Sequence, residues 1–285
     1  MGADSDQSLG KKTRSWIDET LAMRGTDKIP PRLYKFVSVD SKYFPLALHE
    51  LLLHNRIYLS CRKDFNDPFD TSVGLDVPDS PEAISSFIRG FKKRNPDAEI
   101  ADYHVDPSAD MEGWRRQAER GLDRCFDSIG IYSLADSIKH PLMWAHYASA
   151  HRGISLIFRH GTTGTFGAYP IRYQNSYPRM TIGDDGIDVY KIMIKGESWQ
   201  YEGEWRMALS DMARQWEELP PNLLCGIVFG ARASDETYQF VFDLIDRRAH
   251  AGLPPLAVYH ARVGDSFDLD FFKLAGEGWT EAELA

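Results

Sequence analysis

The chain of 285 residues carries 33 basic and 42 acidic side chains, giving a formal net charge of −9 at pH 7 with histidine neutral. Its hydrophobic fraction of 43% and charged fraction of 26% are typical of globular proteins and exclude disorder of the whole chain. Apolar runs fall well short of the roughly 18 residues that span a membrane. No apolar leader opens the sequence, so we expect a cytoplasmic protein without a membrane partner.

The first part of the chain predicts a peripheral segment, then a strand, a helix and a second strand. Residues 1–30 are polar and contain one short amphipathic helix, and residues 33–37 alternate as a strand does. Apolar residues recur at helical spacing over 44–52, and 56–60 is the second predicted strand. Residues 65–70 have the Asn, Asp and Pro chemistry of a turn.

The rest of the chain predicts alternating helices and strands. Residues 80–128 are helical with a polar break around 95–107, and residues 161–167 form a turn. Further helices are predicted at 141–150 and 234–248, strands at 129–134, 153–158, 204–209, 225–229 and 256–262, and either type at 187–194. We therefore predict one α+β domain over 31–272, with an acidic tail at 273–285.

Four clusters combine reactive polar groups with aromatic side chains. They contain Tyr34 and Lys35; Ser60, Arg62 and Asn66; Trp144, His146 and Tyr147; and Glu202, Glu204 and Arg206. Each also has a structural interpretation, as a strand aromatic, a turn, a helix or a surface Glu/Arg ladder. On a strand, Glu202, Glu204 and Arg206 share one face, and paired carboxylates there can orient a hydroxyl and activate a nucleophile.

Neither the histidines nor the cysteines predict a metal site. The spacings of His140, His146 and His151 do not place all three on one helix face. Three widely separated cysteines fit a reducing compartment and lack the pairing of a zinc ribbon. We expect no metal.

Six ordered motifs resemble the bacterial family catalogued as a domain of unknown function (number 2971), sometimes grouped with abortive phage-infection proteins. The resemblance covers residues 33–271. It rests on Leu33-Tyr34-Lys35-Phe36, Ile57-Tyr58-Leu59-Ser60, Phe65-Asn66-Asp67-Pro68-Phe69-Asp70, Met143-Trp144-Ala145-His146-Tyr147, Gly153-Ile154-Ser155-Leu156-Ile157-Phe158 and Trp199-Gln200-Tyr201-Glu202-Gly203-Glu204-Trp205-Arg206. It implies a bacterial toxin or phage-defence context and states no activity.

The order strand, helix, strand and late acidic strand is also similar to that of NAD-dependent ADP-ribosyltransferases. This resemblance implies a mixed, mostly antiparallel split sheet flanked by helices. Glu204 matches the final glutamate of that superfamily, Glu202 matches the first acid of its ExE form, and Ser60 matches the second-strand serine. Tyr34 stands where the superfamily has an Arg or His that anchors NAD, with Lys35 beside it.

The implied activity is transfer of ADP-ribose from NAD, or hydrolysis of NAD, with NAD as substrate and an unknown protein or nucleic-acid acceptor. Glu204 is the expected reactive carboxylate, assisted by Glu202 and His146. The expected NAD-binding residues are Tyr34, Lys35, Ser60, Arg62, Asn66, Trp144, Tyr147 and Arg206. Among these, Trp144 (or Tyr58) would stack on nicotinamide, and Lys35, Arg62 and Arg206 would hold the pyrophosphate.

Two other functions remain open at this point. The first is a non-catalytic interaction module, either an antitoxin or a phage sensor. In this hypothesis the seven tryptophans and 13 tyrosines supply interface anchors. A nuclease acting through His146 and Lys35 is disfavoured by the acidic net charge.

Overall fold

The computed structural model describes residues 2–76, 80, 82–86, 89, 110–160, 167–181 and 189–277. The helices are α1 (Gly2–Met23), α2 (Phe44–His54), α3 (Met111–Asp127), α4 (Pro141–Tyr147) and α5 (Asp235–His250), and residues 82–86 are also helical. The strands are β1 (Arg32–Val37), β2 (Arg56–Tyr58), β3 (Gly74–Asp76), β4 (Gly130–Ala135), β5 (Ile154–Arg159), β6 (Ala168–Pro170), β7 (Arg172–Tyr173), β8 (Arg179–Thr181), β9 (Ile194–Lys195), β10 (Glu204–Leu209), β11 (Trp216–Glu218), β12 (Leu224–Phe229), β13 (Ala257–Val263) and β14 (Leu269–Ala275). None of the described helices has the length and apolar content needed to cross a bilayer.

Eight strands form one sheet in the order β14-β13-β12-β5-β1-β4-β10-β6. Every neighbouring pair in it is antiparallel except β12 with β13. The prediction of a mixed, mostly antiparallel sheet flanked by helices is therefore confirmed. These eight strands are joined in one continuous order, whereas the resemblance to ADP-ribosyltransferases implied a split sheet.

Strand β1 lies in the middle of the sheet because its residues are apolar on both faces. Leu33 packs into a core that also contains Leu48 of α2 and Val241 of α5, and all three are buried. The next residue, Tyr34, packs on the opposite face with Trp144 of α4. Alternation with a period of two sends successive strand residues to opposite faces, so helices cover both sides.

The pairing of β1 leaves a gap in the sheet on one side. Strand β1 pairs with β5 at six consecutive positions, but it pairs with β4 only at Tyr34 and Ala135. Residues of β1 and β4 next to this single paired position line the cavity described below.

Both ends of the domain extend beyond the predicted boundaries. Helix α1 is longer than the predicted N-terminal helix, Leu21 is buried in the core, and Arg24 donates to the carbonyl oxygens of Ile171 and Glu204. Strand β14 continues to Ala275, past the predicted start of the tail at 273.

The segment predicted as strand or helix at 187–194 contains a 3₁₀ helix, Val189–Met193, followed by β9. The predicted break at 95–107 and most of the predicted turn at 161–167 lie outside the described residues.

Candidate functional site

A cavity of about 410 Å³ is lined in part by residues of β1 and β4. Helix α4, residues 64–70 and residues 195–204 complete its wall. Its lining includes Tyr34, Lys35, Ser60, Asn66, Asp70, Ser133, His146, Tyr147, Lys195, Glu202 and Glu204. Eight of the eleven residues predicted for the site are in this set, although they come from four distant parts of the sequence. The volume is in the range of small-molecule binding sites.

Three predicted ligand-binding residues are absent from this lining: Trp144 and Arg62, and Arg206, which is described below. Trp144 is fully buried, and its indole N–H donates to the carbonyl oxygen of Ile138 at 2.8 Å, so it is a core residue that cannot stack on nicotinamide. Arg62 lies outside the cavity lining and binds Asp127 at 2.8 Å and Asp123 at 2.5 Å. Because those carboxylates of α3 neutralise the guanidinium, the prediction of Arg62 as a pyrophosphate ligand was wrong.

Tyr58, the other aromatic proposed to stack on nicotinamide, is also outside the cavity lining. It lies on β2, is partly exposed, and contacts Trp216 of the paired strand β11 with 5.4 Å between ring centres. Its position in this separate two-stranded ladder explains why it does not reach the cavity.

Arg206 is fully buried behind the cavity wall. Its Nε lies 2.6 Å from Glu204 Oε1 and its Nη2 lies 3.0 Å from Glu204 Oε2, so the pair is bidentate. Nη2 also donates to Asp70 Oδ2 at 2.6 Å, and Nη1 donates to the carbonyl oxygen of Ile192 at 2.9 Å. With these acceptors Arg206 is committed to the protein, and its predicted role as a phosphate ligand was wrong.

Lys195 completes a buried cluster of three carboxylates and two cations. Its Nζ lies 2.5 Å from Glu202, 3.0 Å from Glu204 and 3.4 Å from Asp70. Burial opposes the charge on Lys195, but the carboxylates outweigh it and raise the pKa of the ammonium above its usual range. A buried charge must be paired in this way, so Lys195 stays protonated.

The two glutamates of the cluster have opposite acidities. Burial opposes ionisation of Glu204, but Arg206 and Lys195 outweigh it and hold the pKa of that carboxyl well below its usual range. Burial and then the nearby charge of Glu204 raise the pKa of Glu202, although Lys195 partly counteracts them. Carboxylates with separated pKa values are typical of acid/base pairs at active sites.

The turn between these glutamates differs from the predicted strand. Glu202 ends a 3₁₀ helix, Glu197–Glu202, and β10 starts at Glu204. Gly203 between them has φ of 52°, and a Cβ on it would clash with Asp136 Oδ1. The prediction that Glu202 and Glu204 share one face of a strand was therefore wrong. Both carboxylates nevertheless reach Lys195 because the glycine turns the chain.

Helix α4 contributes two polar side chains to the cavity. The Tyr147 hydroxyl donates to Glu202 Oε1 at 2.5 Å, and burial raises the pKa of this phenol. His146 Nδ1 lies 3.1 Å from the Tyr201 hydroxyl. Glu202 accepts one hydrogen bond on each carboxylate oxygen, from Tyr147 on Oε1 and from Lys195 on Oε2. Glu204 accepts two hydrogen bonds from Arg206 and one from Lys195.

Lys35 is the second lysine of the cavity. Its Nζ donates to the carbonyl oxygen of Ser133 at 3.0 Å and lies 4.7 Å from the centre of the Tyr132 ring. Burial lowers the pKa of Lys35 to about 8, although the charges of Glu204 and Glu202 oppose the shift. The ammonium is therefore partly deprotonated near neutral pH.

Sequence reasoning missed Lys195, Asp70 and Ser133. Asp70 was recognised only as part of a turn, and Ser133 stands inside a predicted strand. Lys195 had a usable signal, because a lysine that directly follows the apolar run Ile192–Ile194 is predicted to be buried and so needs a buried acidic partner.

A possible metal-binding group lies away from the cavity. Among the described residues, the group with suitable ligand atoms close together is His49, Glu50 and His54 at the end of α2. Arg56 binds Glu50 at 2.7 Å, and Arg247 lies 3.3 Å from His49 Nε2. Two guanidinium groups at these ligands oppose the binding of a cation.

No protein-family profile, curated protein or solved structure matches the chain. Assignment of a function therefore depends on the cavity and its chemistry.

Proposed function

We propose that this protein cleaves the bond between nicotinamide and ribose in NAD, as an ADP-ribosyltransferase-like or NAD-glycohydrolase-like enzyme. The main support is the convergence of Glu202, Glu204 and Ser60, with Tyr34 and His146, on one cavity of about 410 Å³. Glu204, Glu202 and Ser60 are the residues that match the resemblance to ADP-ribosyltransferases, and Tyr34 stands where that superfamily has an Arg or His. The resemblances also support a bacterial toxin or phage-defence effector, and the three widely separated cysteines fit a cytoplasmic location.

The chemistry uses a carboxylate next to developing positive charge. When the C1–N bond of the ribose breaks, its electron pair leaves with nicotinamide, and C1 gains oxocarbenium character. An ionised carboxylate in a buried site stabilises that charge. Water, or an acceptor from a protein or nucleic acid, then attacks C1 and gives up a proton to a base.

We assign the reactive role to Glu202 and a supporting role to Glu204. Glu204 is held on both oxygens by Arg206 and Lys195, and its lowered pKa makes it a weak base. Glu202 has fewer partners, and its raised pKa suits proton transfer. This reverses the expected order, in which Glu204 was the reactive carboxylate.

The charges of the cavity favour the nicotinamide riboside end of NAD over its diphosphate. The lining contains the carboxylates Asp64, Asp70, Glu202 and Glu204 but only the cations Lys35 and Lys195. Like charges repel a diphosphate, whereas the pyridinium of NAD is a cation. We therefore place the nicotinamide riboside inside and the phosphates at the mouth.

The alternative is a non-catalytic interaction module, such as an antitoxin or a phage sensor. It is favoured by a second cavity of about 360 Å³, lined by Phe69, Tyr177 and Trp199 among other residues. Phe69 is 67% exposed and Tyr177 is 52% exposed. Exposed aromatics in a concave surface are typical anchors of protein interfaces.

Release of nicotinamide from NAD by the purified chain tests the proposal. The comparison uses wild type, Glu202→Gln and Glu218→Gln, which alters an exposed residue of β11. We expect release by wild type and by the Glu218 variant, and a loss of at least about a hundredfold in the Glu202 variant. No release by the wild type, or full activity of Glu202→Gln, would contradict the proposal and favour the interaction module.

A further inference from the structure

The second cavity, of about 360 Å³, shares one wall residue with the first, because Lys195 lines both. Its other lining residues come from 67–72, 174–178 and 194–199. The volume is at the lower end of the range for small-molecule sites, which suits one side chain or another small group. The chemistry proposed for NAD does not use this cavity, so its own lining has to indicate the occupant.

Aromatic rings in this lining are open to a ligand. Phe69 is 67% exposed and Tyr177 is 52% exposed. The third ring, that of Trp199, already has a cation near it, because Lys195 Nζ lies 5.0 Å from the ring centre. The face of an aromatic ring carries partial negative charge and attracts cations. The rings therefore favour a ligand that is flat or positively charged.

The charged groups of this lining select between those two kinds of ligand. Asp67 and Glu197 contribute carboxylates, and within the described part of the chain neither of them forms an ion pair. One oxygen of each accepts a neutral hydrogen bond, from the Phe69 N–H at 2.9 Å and from the Asn175 side chain at 2.5 Å. Lys195 is already bound by the three carboxylates of the buried cluster. The charge left without a counter-ion is therefore negative.

We propose that the second cavity binds a cationic side chain, the guanidinium of an arginine or the ammonium of a lysine, from a basic segment of a protein partner. Aromatic faces attract such a cation, and carboxylates form charge-assisted hydrogen bonds with it. A nucleic-acid strand could stack its bases on the same rings. Its phosphates would then meet Asp67 and Glu197, which repel them, so the charges favour the basic protein segment.

This proposal does not depend on the reaction with NAD. The basic segment binds outside the cavity that holds Glu202, whether the protein is an enzyme or an interaction module. Because binding is measured without NAD, the two proposals fail separately.

Fluorescence anisotropy of short labelled peptides tests the proposal. The probes are an arginine-containing peptide of otherwise glycine and serine, the same peptide with lysine, and the same peptide with citrulline, which is neutral but has nearly the shape of arginine. We expect the arginine peptide to bind the wild-type chain at least about tenfold more tightly than the citrulline peptide. The lysine peptide should fall between them, because a guanidinium stacks on rings better than an ammonium does. Labelled oligouridine is the nucleic-acid probe, and we expect it to bind more weakly than the arginine peptide.

Variants of the lining locate the binding. The double variant Asp67→Asn with Glu197→Gln removes both charges but keeps oxygens that accept hydrogen bonds, and we expect it to weaken binding of the arginine peptide at least about tenfold. The matched control, Glu218→Gln with Asp265→Asn, makes the same change of charge at exposed residues outside the lining. We expect it to weaken binding less than about twofold, because salt screens distant charges. Phe69→Leu keeps an apolar side chain without the ring and should weaken binding about two- to fivefold.

Equal binding of the arginine and citrulline peptides, or no binding of the arginine peptide, would overturn the proposal. Equal losses in the two double variants would also overturn it, because the peptide would then be attracted by net charge alone. Tighter binding of oligouridine than of the arginine peptide would identify a nucleic-acid site instead. The comparison of probes uses the wild-type chain and does not depend on whether the variants fold.

Discussion

The substitution Arg206→Met tests whether the charges behind the cavity act as one buried network. Arg206 is 0% exposed and binds both Glu204 and Asp70. Without it, three carboxylates share the single cation Lys195 in the described cluster. Removing one partner of a buried ion pair costs about 3–5 kcal/mol, since the remaining charge keeps its desolvation penalty. We expect a loss of about 4 kcal/mol in the free energy of unfolding.

Urea unfolding followed by circular dichroism measures this loss, and a thermal scan should show a fall in Tm of about 10 °C. The control is Arg152→Met, because Arg152 binds Asp40 at 2.5 Å with both side chains about half exposed. An exposed pair contributes less than about 1 kcal/mol. A loss below 1 kcal/mol in both variants would refute the buried network. In the double variant with Glu204→Gln, the losses should not add, because the two side chains share one interaction.

Three further predictions concern the same cluster. The lowered pKa of Glu204 stabilises the fold above the pKa of an unfolded glutamate, so this stability should be lost as the pH falls below about 4.3. Urea midpoints between pH 6 and 3 should fall more steeply for wild type than for Glu204→Gln, and equal slopes would contradict this. Gly203→Ala should lower the free energy of unfolding, measured with urea, by at least about 2 kcal/mol, because φ is positive and Asp136 occupies the space of the new Cβ. A loss under about 0.5 kcal/mol would show that Asp136 moves freely. Tyr147→Phe removes a hydrogen bond that lowers the pKa of Glu202, so the acid limb of the NAD-cleavage profile should move to higher pH; an unchanged limb would exclude Glu202 as the titrating group.

The sheet and its helices could be predicted because their signals are local. Alternation over 204–209 and helical spacing over 234–248 reflect which face of each element is buried, and β10 and α5 occupy these positions. Ser234 caps α5 by accepting from the Thr237 N–H, and a serine at the start of a helical apolar pattern is a local signal for a helix N-terminus.

The ion cluster could not be predicted in the same way because its contacts are long-range. Arg206 and Asp70 are 136 residues apart in sequence. Alternation on a strand identifies a face but not what packs on it, so Arg206 could be read equally as a buried residue or as a cavity ligand. Trp144 was misassigned for the same reason, because the helical pattern of α4 does not show which side meets the sheet.

The most direct test of the proposed function is a crystal structure of Glu202→Gln soaked with NAD. We predict electron density for nicotinamide and ribose inside the cavity lined by Tyr34, Ser60 and His146, with the ribose within hydrogen-bond distance of residue 202 and the phosphates at the mouth. An empty cavity at saturating NAD, or NAD bound elsewhere on the protein, would contradict the account.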